Sequence, residues 1–445
     1  MSDQNFEEFE TNEERLEARR QKRLEMKRKR QIQQRIVLSI LAVVLILIIV
    51  LVAKSCGGKK DDKKPNNDPI EPPTTQDAVE PPPKPDIKAT VAAVGDIMLY
   101  DEQLKDAQVD ETTYDFSKCF KAISPYTTNP DLTVGNLKVN FLGYAPYSGN
   151  PRADPYFNAP ESFATALADI GFDILQTANT YSIMNGINGL QSTINILNQA
   201  KIDHVGTHST DPAQSTNGGV VMREVNGIKF AFIGFTKGVN GMHLPKNNPY
   251  SVDLLYTDYD TEFKKIDTTA ILNRIEAAKA QEPDVIIAML NWGSELDFNV
   301  ADTQKEIRDL MFKSGVDVIL GSHSHVVGPM EMVEVETTDG EKKNCFVAYS
   351  LGNFISKMNN QYTQESVILN LEFTKDGDTG DVTISNVEYT PLYILDHGEG
   401  AETRYEVLPI RNAIKSSMFE QFETPMSTAI ENLKQHTASD FDSGK

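Results

Sequence analysis

The chain is poor in sulfur and in the motifs that announce a familiar chemistry. Three cysteines in 445 residues are too few for a disulfide scaffold or a cysteine-rich zinc module. Cys119 and Cys345 read as free buried thiols. Cys56, preceded by Ala53, Lys54 and Ser55, is a poor match to a lipid-attachment cysteine. No GxxxxGKS or GxxxxGKT, GxSxG, HExxH or GxGxxG pattern occurs, so nucleotide-cradling, serine-hydrolase and zincin chemistries lack their residues. A basic surplus is missing as well. The formal charge of −21 and a pI near 4.8 argue against nucleic acid as a partner held by a basic surface. There is only one long hydrophobic run, which excludes a multi-span transporter.

What is present divides the chain into unlike parts. Up to Cys56 there are 11 Lys or Arg against 8 Asp or Glu, and the remainder carries −24. Residues 36–53 read IVLSILAVVLILIIVLVA, apolar on every face except for Ser39, as a membrane-crossing helix requires and an amphipathic core helix does not. A cleaved signal peptide is disfavoured by the long polar head and by Lys54-Ser55-Cys56, which lacks a small-x-small cleavage pattern. Arg19, Arg20, Lys22, Arg23, Lys27, Arg28, Lys29 and Arg30 precede the run directly, so the N-terminus is expected in the cytoplasm and the body outside. Beyond it the composition turns to Gly, Lys, Asp, Asn and Pro, ending in Glu80-Pro-Pro-Pro-Lys-Pro85, an extended stalk rather than a core. The expected organisation is a basic cytoplasmic head at 1–35, one transmembrane helix at 36–53, a linker at 54–88, an extracytoplasmic domain at 89–398 and a C-terminal extension at 399–445.

Within the body, β-rich runs alternate with helical periodicity. Strands are predicted at 87–94, 131–134, 173–176, 228–235, 284–290, 316–320 and 345–350, with a further strand end at 204–206. Helices are predicted at 162–170, 190–200, 268–280 and 303–314, with another at 429–436 before a frayed end. The alternation indicates an α/β sheet. Several strands stop at a Gly followed by a polar residue, as at Gly95-Asp96 and Gly135-Asn136, and such strand ends are where α/β sheets assemble their sites. Asp96, His323, His325 and the amides of Asn136, Asn179, Asn291 and Asn353 fall there. Two histidines separated by one residue on a loop, with an aspartate from another strand, can hold Zn, Mn or Fe. A hydrogen-bonded histidine pair is the alternative.

Six of these loops occur in an order that resembles the CapA family of poly-γ-glutamate capsule biosynthesis proteins. They are GDIM at 95–98, GNL at 135–137, the run from Ala178 to Leu190, WGSE at 292–295, GSHSHV at 321–326 and YSLGNF at 349–354. The resemblance implies a metallophosphatase-like layered α/β sandwich on the outer face of the membrane. It carries Asp96, His323 and His325 over as metal ligands, and Asn136, Glu295 and Asn353 as residues that orient the site. Other positions depart from the family pattern. Lys138 stands where the family has a glutamate, Thr180 and Tyr181 where it has Asn and His, Met184 where it has an aspartate, and Asn291 where it has a histidine.

A lysine ammonium cannot ligate a cation and repels it at close range, and Tyr181 is a poor general acid near neutral pH. A two-metal centre is therefore not expected; the cofactor is none or one divalent ion. Lys138, Asn136, Asn179, Tyr181, Asn291, Glu295 and Asn353 are expected to serve binding. The leading functional expectation is a membrane-anchored protein of surface-polymer biosynthesis, export or attachment that binds an anionic polymer and other envelope proteins. The alternatives are a single-metal hydrolase or transferase acting on phosphoester, amide or glutamyl bonds, and a purely structural envelope protein. His208 is a further candidate imidazole.

Overall fold

The computed structural model describes residues 83–437 and 439–444. The expected head, the span at 36–53 and most of the linker lie outside the described residues. Among the described residues no helix is long and apolar enough to cross a membrane.

The chain builds two sheets in turn. It lays down β1 (Ile87–Ile97), β2 (Leu132–Leu137), β3 (Ile174–Gln176) and β4 (Asp203–Val205) as parallel neighbours. It then forms a second sheet from β5 (Val221–Val225), β6 (Ile228–Thr236), β7 (Val285–Asn291), β8 (Val318–Ser322), β9 (Met330–Glu336) and β10 (Lys342–Ala348). Finally it returns to the first sheet with β11 (Asn353–Ile355), β12 (Glu365–Lys375), β13 (Val382–Asp396) and β14 (Tyr405–Pro409). The strand orders are β14-β13-β12-β1-β2-β3-β4, with β11 beside the end of β1, and β5-β6-β7-β8-β10-β9. The helices are α1 (Asp101–Ala107), α2 (Ser124–Thr128), α3 (Glu161–Asp169), α4 (Gly186–Gln199), α5 (Thr268–Lys279), α6 (Asp302–Lys313), α7 (Ile410–Ala413) and α8 (Glu423–His436).

Side-chain alternation shows how these elements layer. In β1, Ala89, Val91 and Ala93 join Val134 and Ile174 in a core shared with Phe230, Phe232, Ile287, Met289 and Val318 of the second sheet. The intervening Ala92 and Val94 face the opposite way, against Leu104 of α1, Phe163 and Leu167 of α3 and Leu197 of α4. Likewise Ala231, Ile233, Ile286 and Ala288 meet Ile271 and Ile275 of α5 and Ile307 and Met311 of α6. Strands apolar on both faces can only be interior, so the body is a four-layer α/β/β/α sandwich. Each fully buried Leu, Ile or Phe contributes about 1.5–3 kcal/mol of transfer free energy.

The strand ends come very close together where the sheets meet the loops. A Cβ at Gly95 would strike the Gly352 carbonyl, and one at Gly321 would strike the Tyr349 carbonyl and the Trp292 indole. These glycines are required by the crossing of backbones rather than by turn geometry.

Several boundaries differ from expectation. The strands form two sheets, in keeping with a layered sandwich, and β5, β9 and the antiparallel β12–β14 lie outside the strand–helix alternation. The boundary at 398 falls in the β13–β14 hairpin, so the C-terminal extension supplies an edge strand and a packed helix. The end is docked, not frayed. Asp442 is buried and bonds Arg411 at 2.6 Å, while the Ser443 amide donates to Tyr389 O at 2.9 Å. Cys119 and Cys345 are free and buried in the cores on opposite outer faces of the two sheets.

Helix α8 is tied to β12 where Glu365 Oε1 accepts a 2.6 Å bond from Asn432 Nδ2. Burial pushes the Glu365 carboxyl up from 4.5 to about 7, only partly countered by Asn432. The unfolded chain loses this proton near 4.5 and the folded chain near 7, so the group lowers stability as pH rises through that window. Glu365→Gln is expected to raise unfolding free energy by about 1–2 kcal/mol at alkaline pH, discounted for partial exposure, and to change it little near the unfolded pKa. Urea titrations at the two pH values measure this; an equal gain at both would contradict it.

Candidate functional site

The parallel register of β1 and β2 sets Asp96 directly opposite Asn136. Asp96 is fully buried, and its Oδ1 accepts a 2.7 Å bond from Asn136 Nδ2. Lys138 follows β2 by one residue and turns inward, because its own amide is bonded to Ile97 O at 2.9 Å. Its side chain is 1% exposed, and Nζ lies 3.3 Å from Asp96 Oδ2 and 3.3 Å from His325 Nε2. Burial alone would raise the Asp96 pKa; the Lys138 ammonium, then His325 and Asn136, hold it well below the usual carboxylate range.

His323 and His325 sit on the loop after β8 with φ of +99° and +64°, backbone values that side chains other than Gly and Asn seldom adopt. His325 Nδ1 lies 2.9 Å from Asp96 Oδ2 and 2.9 Å from Asn353 Oδ1. Asn353 is oriented by its Nδ2, which donates to Thr363 O at 3.0 Å. An ammonium can only donate, so Nε2 of His325 accepts from Lys138 and Nδ1 carries the proton toward Asp96 and Asn353. Both nitrogens of His325 are engaged. His323 lies 3.4 Å from the Thr180 hydroxyl. Burial, then Lys138 and His325, push its pKa well below the ordinary value, leaving a neutral imidazole at neutral pH.

The second sheet closes the site through Asn291 at the end of β7. Its Oδ1 accepts from Asn136 Nδ2 at 3.3 Å, and its Nδ2 donates to Thr236 Oγ1 at 3.1 Å, so one amide joins the two sheets. Asn136 Oδ1 is buried and has no hydrogen-bond partner among the described residues. Because Nδ2 must face the Asp96 carboxylate, an amide flip cannot relieve it. That oxygen is an acceptor held ready for a donor at the centre of the site.

The remaining expected residues divide. Tyr181 lies over Lys138, with Nζ 5.5 Å from the ring centroid, and packs edge-on against Phe157 at 4.8 Å. Burial raises its phenol pKa. Asn179 is bonded within its own loop. Its Nδ2 donates to Leu137 O at 2.6 Å and its Oδ1 accepts from the Tyr181 amide at 2.9 Å, so the side chain holds the loop. His208 is not brought into the constellation. It pairs with Asp253 at 2.9 Å and lies 3.4 Å from Arg274, beside a separate polar cavity of about 250 Å³ lined also by His204 and Thr207. Tyr100, Thr236 and Lys237 were not singled out from sequence. Burial, then Glu295 and Asp96, push the Tyr100 phenol up to about 12, and Lys237 Nζ donates to Gly293 O. No motif marks any of the three.

A metal-ligating trio also differs from the expected Asp96, His323 and His325. Among the described residues, the group that could hold a metal ion, with ligand atoms within 4.8 Å of one another, is Glu295, His323 and His325. Asp96 is committed instead to Lys138, Asn136 and His325. Two imidazoles and a carboxylate are a donor set suited to Zn or a similar divalent ion. An ion using His325 Nε2 would have to displace the Lys138 ammonium from it.

Residues 90–358 match the family model described as bacterial capsule synthesis protein PGA_cap. The capsule biosynthesis protein CapA of Bacillus anthracis is 26% identical over 293 residues, 65% of this chain and 65% of that protein. The PGA biosynthesis protein CapA of Bacillus subtilis strain 168 is 24% identical over 299 residues, 66% of this chain and 70% of that protein. The match thus spans just under two thirds of the first relative's length. Among solved structures, a Staphylococcus aureus protein described as a 5′-nucleotidase, in complex with alpha-ketoglutarate, superposes with a TM-score of 0.40 at 13% identity, covering 72% of this chain and 54% of that one. A Mycoplasma pneumoniae phosphatase superposes with a TM-score of 0.36 at 12% identity, covering 70% and 94%. With its family match running from the first strand to beyond β11, the chain belongs to the bacterial capsule synthesis protein family PGA_cap.

Proposed function

We propose that the chain is a single-pass, extracytoplasmic CapA-like protein of capsule or surface-polymer biosynthesis, export or attachment, and that it acts by binding rather than by two-metal hydrolysis. The observation that carries this reading is Lys138 Nζ, 3.3 Å from both Asp96 Oδ2 and His325 Nε2. A fixed ammonium between a carboxylate and an imidazole supplies the positive charge that a cation would bring, and it keeps a divalent ion out by repulsion. Lys138, Tyr181, Tyr100 and Lys237 would offer donors to an anionic group of a polymer. The orphaned Asn136 Oδ1 would take an N–H or O–H of the same ligand. The anchor is the apolar run at 36–53, oriented by the basic head.

A second reading is favoured by Glu295, His323 and His325. This trio would hold one divalent ion, a Lewis acid able to polarise a phosphoester, amide or glutamyl carbonyl. The two readings make different use of His325, bonded to Lys138 in the first and ligating an ion in the second, and that makes them separable. On the binding reading, dialysed full-length protein holds well under one equivalent of Zn, Mn or Fe, and its retention of a polyanion such as polyglutamate is unchanged by chelator. About one tightly held ion per chain, with chelator-sensitive hydrolysis, would establish the second reading instead.

Replacing Lys138 by Met keeps the length and removes the charge. Lys138→Met leaves the Asp96 carboxylate buried without its partner and is expected to cost about 3–5 kcal/mol of stability in chelator. Added Zn²⁺ should restore part of that loss and bring metal content toward one ion per chain. Calorimetric melting with and without Zn²⁺ checks both, and a variant as stable as the parent in chelator would show that the pair contributes little. Topology is tested by adding protease to wall-stripped cells; removal of the body with the head protected is expected, and a protected body contradicts the anchor.

A further inference from the structure

Glu295 is exposed on the 292–301 loop between β7 and α6, and the loop's base is held on the side of the histidines. The Trp292 amide donates to Ser322 O at 3.2 Å, and the Leu296 amide to Ser324 O at 2.8 Å. Its other side meets a part of the chain beyond the family match, which ends at 358. Phe298, three residues past Glu295, stacks on the ring of His436 with centroids 3.8 Å apart and planes 14° from parallel. Tyr362 stands edge-on to both rings, at 5.4 Å from each.

His436 is the last residue of α8, and α8 is firmly seated. Leu433 reaches the core between the sheets. Met426 and Ala429 pack with Leu395, Leu408 and Ile410 of the β13–β14 region. Asn432 bonds Glu365, and Thr437 Oγ1 lies 3.1 Å from the Tyr389 hydroxyl. A ring at the end of so well anchored a helix is a rigid platform, whereas the loop it touches has an exposed Leu296 in a left-handed conformation at φ +58°. The stack transfers the rigidity of the sandwich to the loop.

We propose that the C-terminal helix braces the Glu295 loop through the His436–Phe298 stack, making His436 a positioning residue of the site. The functional weight of this rests on the reading that Glu295 faces the ligand or ion, while the brace itself does not depend on it. A polypeptide ending with the family match would lack His436 and carry Glu295 on a loop held from one side only.

The test is amide hydrogen exchange on the full chain without added ligand, comparing the parent with His436→Ala and His436→Phe. The Leu296 amide should exchange about tenfold faster in the alanine variant and return to the parent rate in the phenylalanine variant, which keeps a ring. The Leu433 amide within α8 should be unchanged in both. An unaltered Leu296 rate in His436→Ala overturns the brace, and so does equal acceleration of Leu296 and Leu433 in both variants, which signals loss of fold rather than of a local contact. A second measurement reads the consequence at the site. In the Lys138→Met chain, adding His436→Ala should weaken Zn²⁺ binding about tenfold, and adding His436→Phe should leave it as it was. Unchanged Zn²⁺ affinity alongside faster Leu296 exchange would overturn the positioning role assigned to His436, whatever becomes of the polymer-binding reading.

Discussion

The site depends on one buried ion pair. Lys138 and Asp96 are almost wholly removed from water, at 1% and 0% side-chain exposure, and taking two charges out of water costs several kcal/mol each. The arrangement is stable because neither charge relies on the other alone. Asp96 also receives Asn136 and His325, and Lys138 also reaches His325 and lies beneath the Tyr181 ring. The fold thereby carries its own cation as a side chain, held between Asp96 and His325. The Nζ position fixes the His325 tautomer and is the main influence lowering the Asp96 pKa, and it adds to the burial that keeps His323 neutral.

The sandwich makes this possible by presenting strand ends from both sheets to one place. Asp96 and Asn136 come from the first sheet, Asn291 and the histidine loop from the second, and the Asn136–Asn291 contact joins them. A site on the ends of parallel strands inherits their rigidity, whereas groups farther out sit on loops. Glu295 is such a group, and its loop is held by backbone bonds on one side and by the aromatic contact with α8 on the other.

The core that positions the site and the side chains that line it are different residues. Val91, Phe232 and Ile287 decide that the sheets pack. Lys138 and Asn291 lie where the strand ends of the two sheets meet.

Much of the local structure was legible in the residues. The strand predicted at 228–235 is found at 228–236 and the helix predicted at 268–280 at 268–279, since apolar side chains at period 2 or 3.6 report directly on neighbours within one element. The order of the six loops placed the chain in its family, and Lys138 and Asn291 stood out as departures from that pattern. The tertiary structure alone decided what they touch. Lys138 meets Asp96 across 42 residues and His325 across 187, and Phe298 meets a helix predicted only from 429 and expected to lead into a loose end. Periodicity carries no information on contacts at such separations. They arise when two sheets, each apolar on both faces, bury one face against each other, and that packing determines which strand ends meet, which asparagine props a loop and which acid stands beside the histidines.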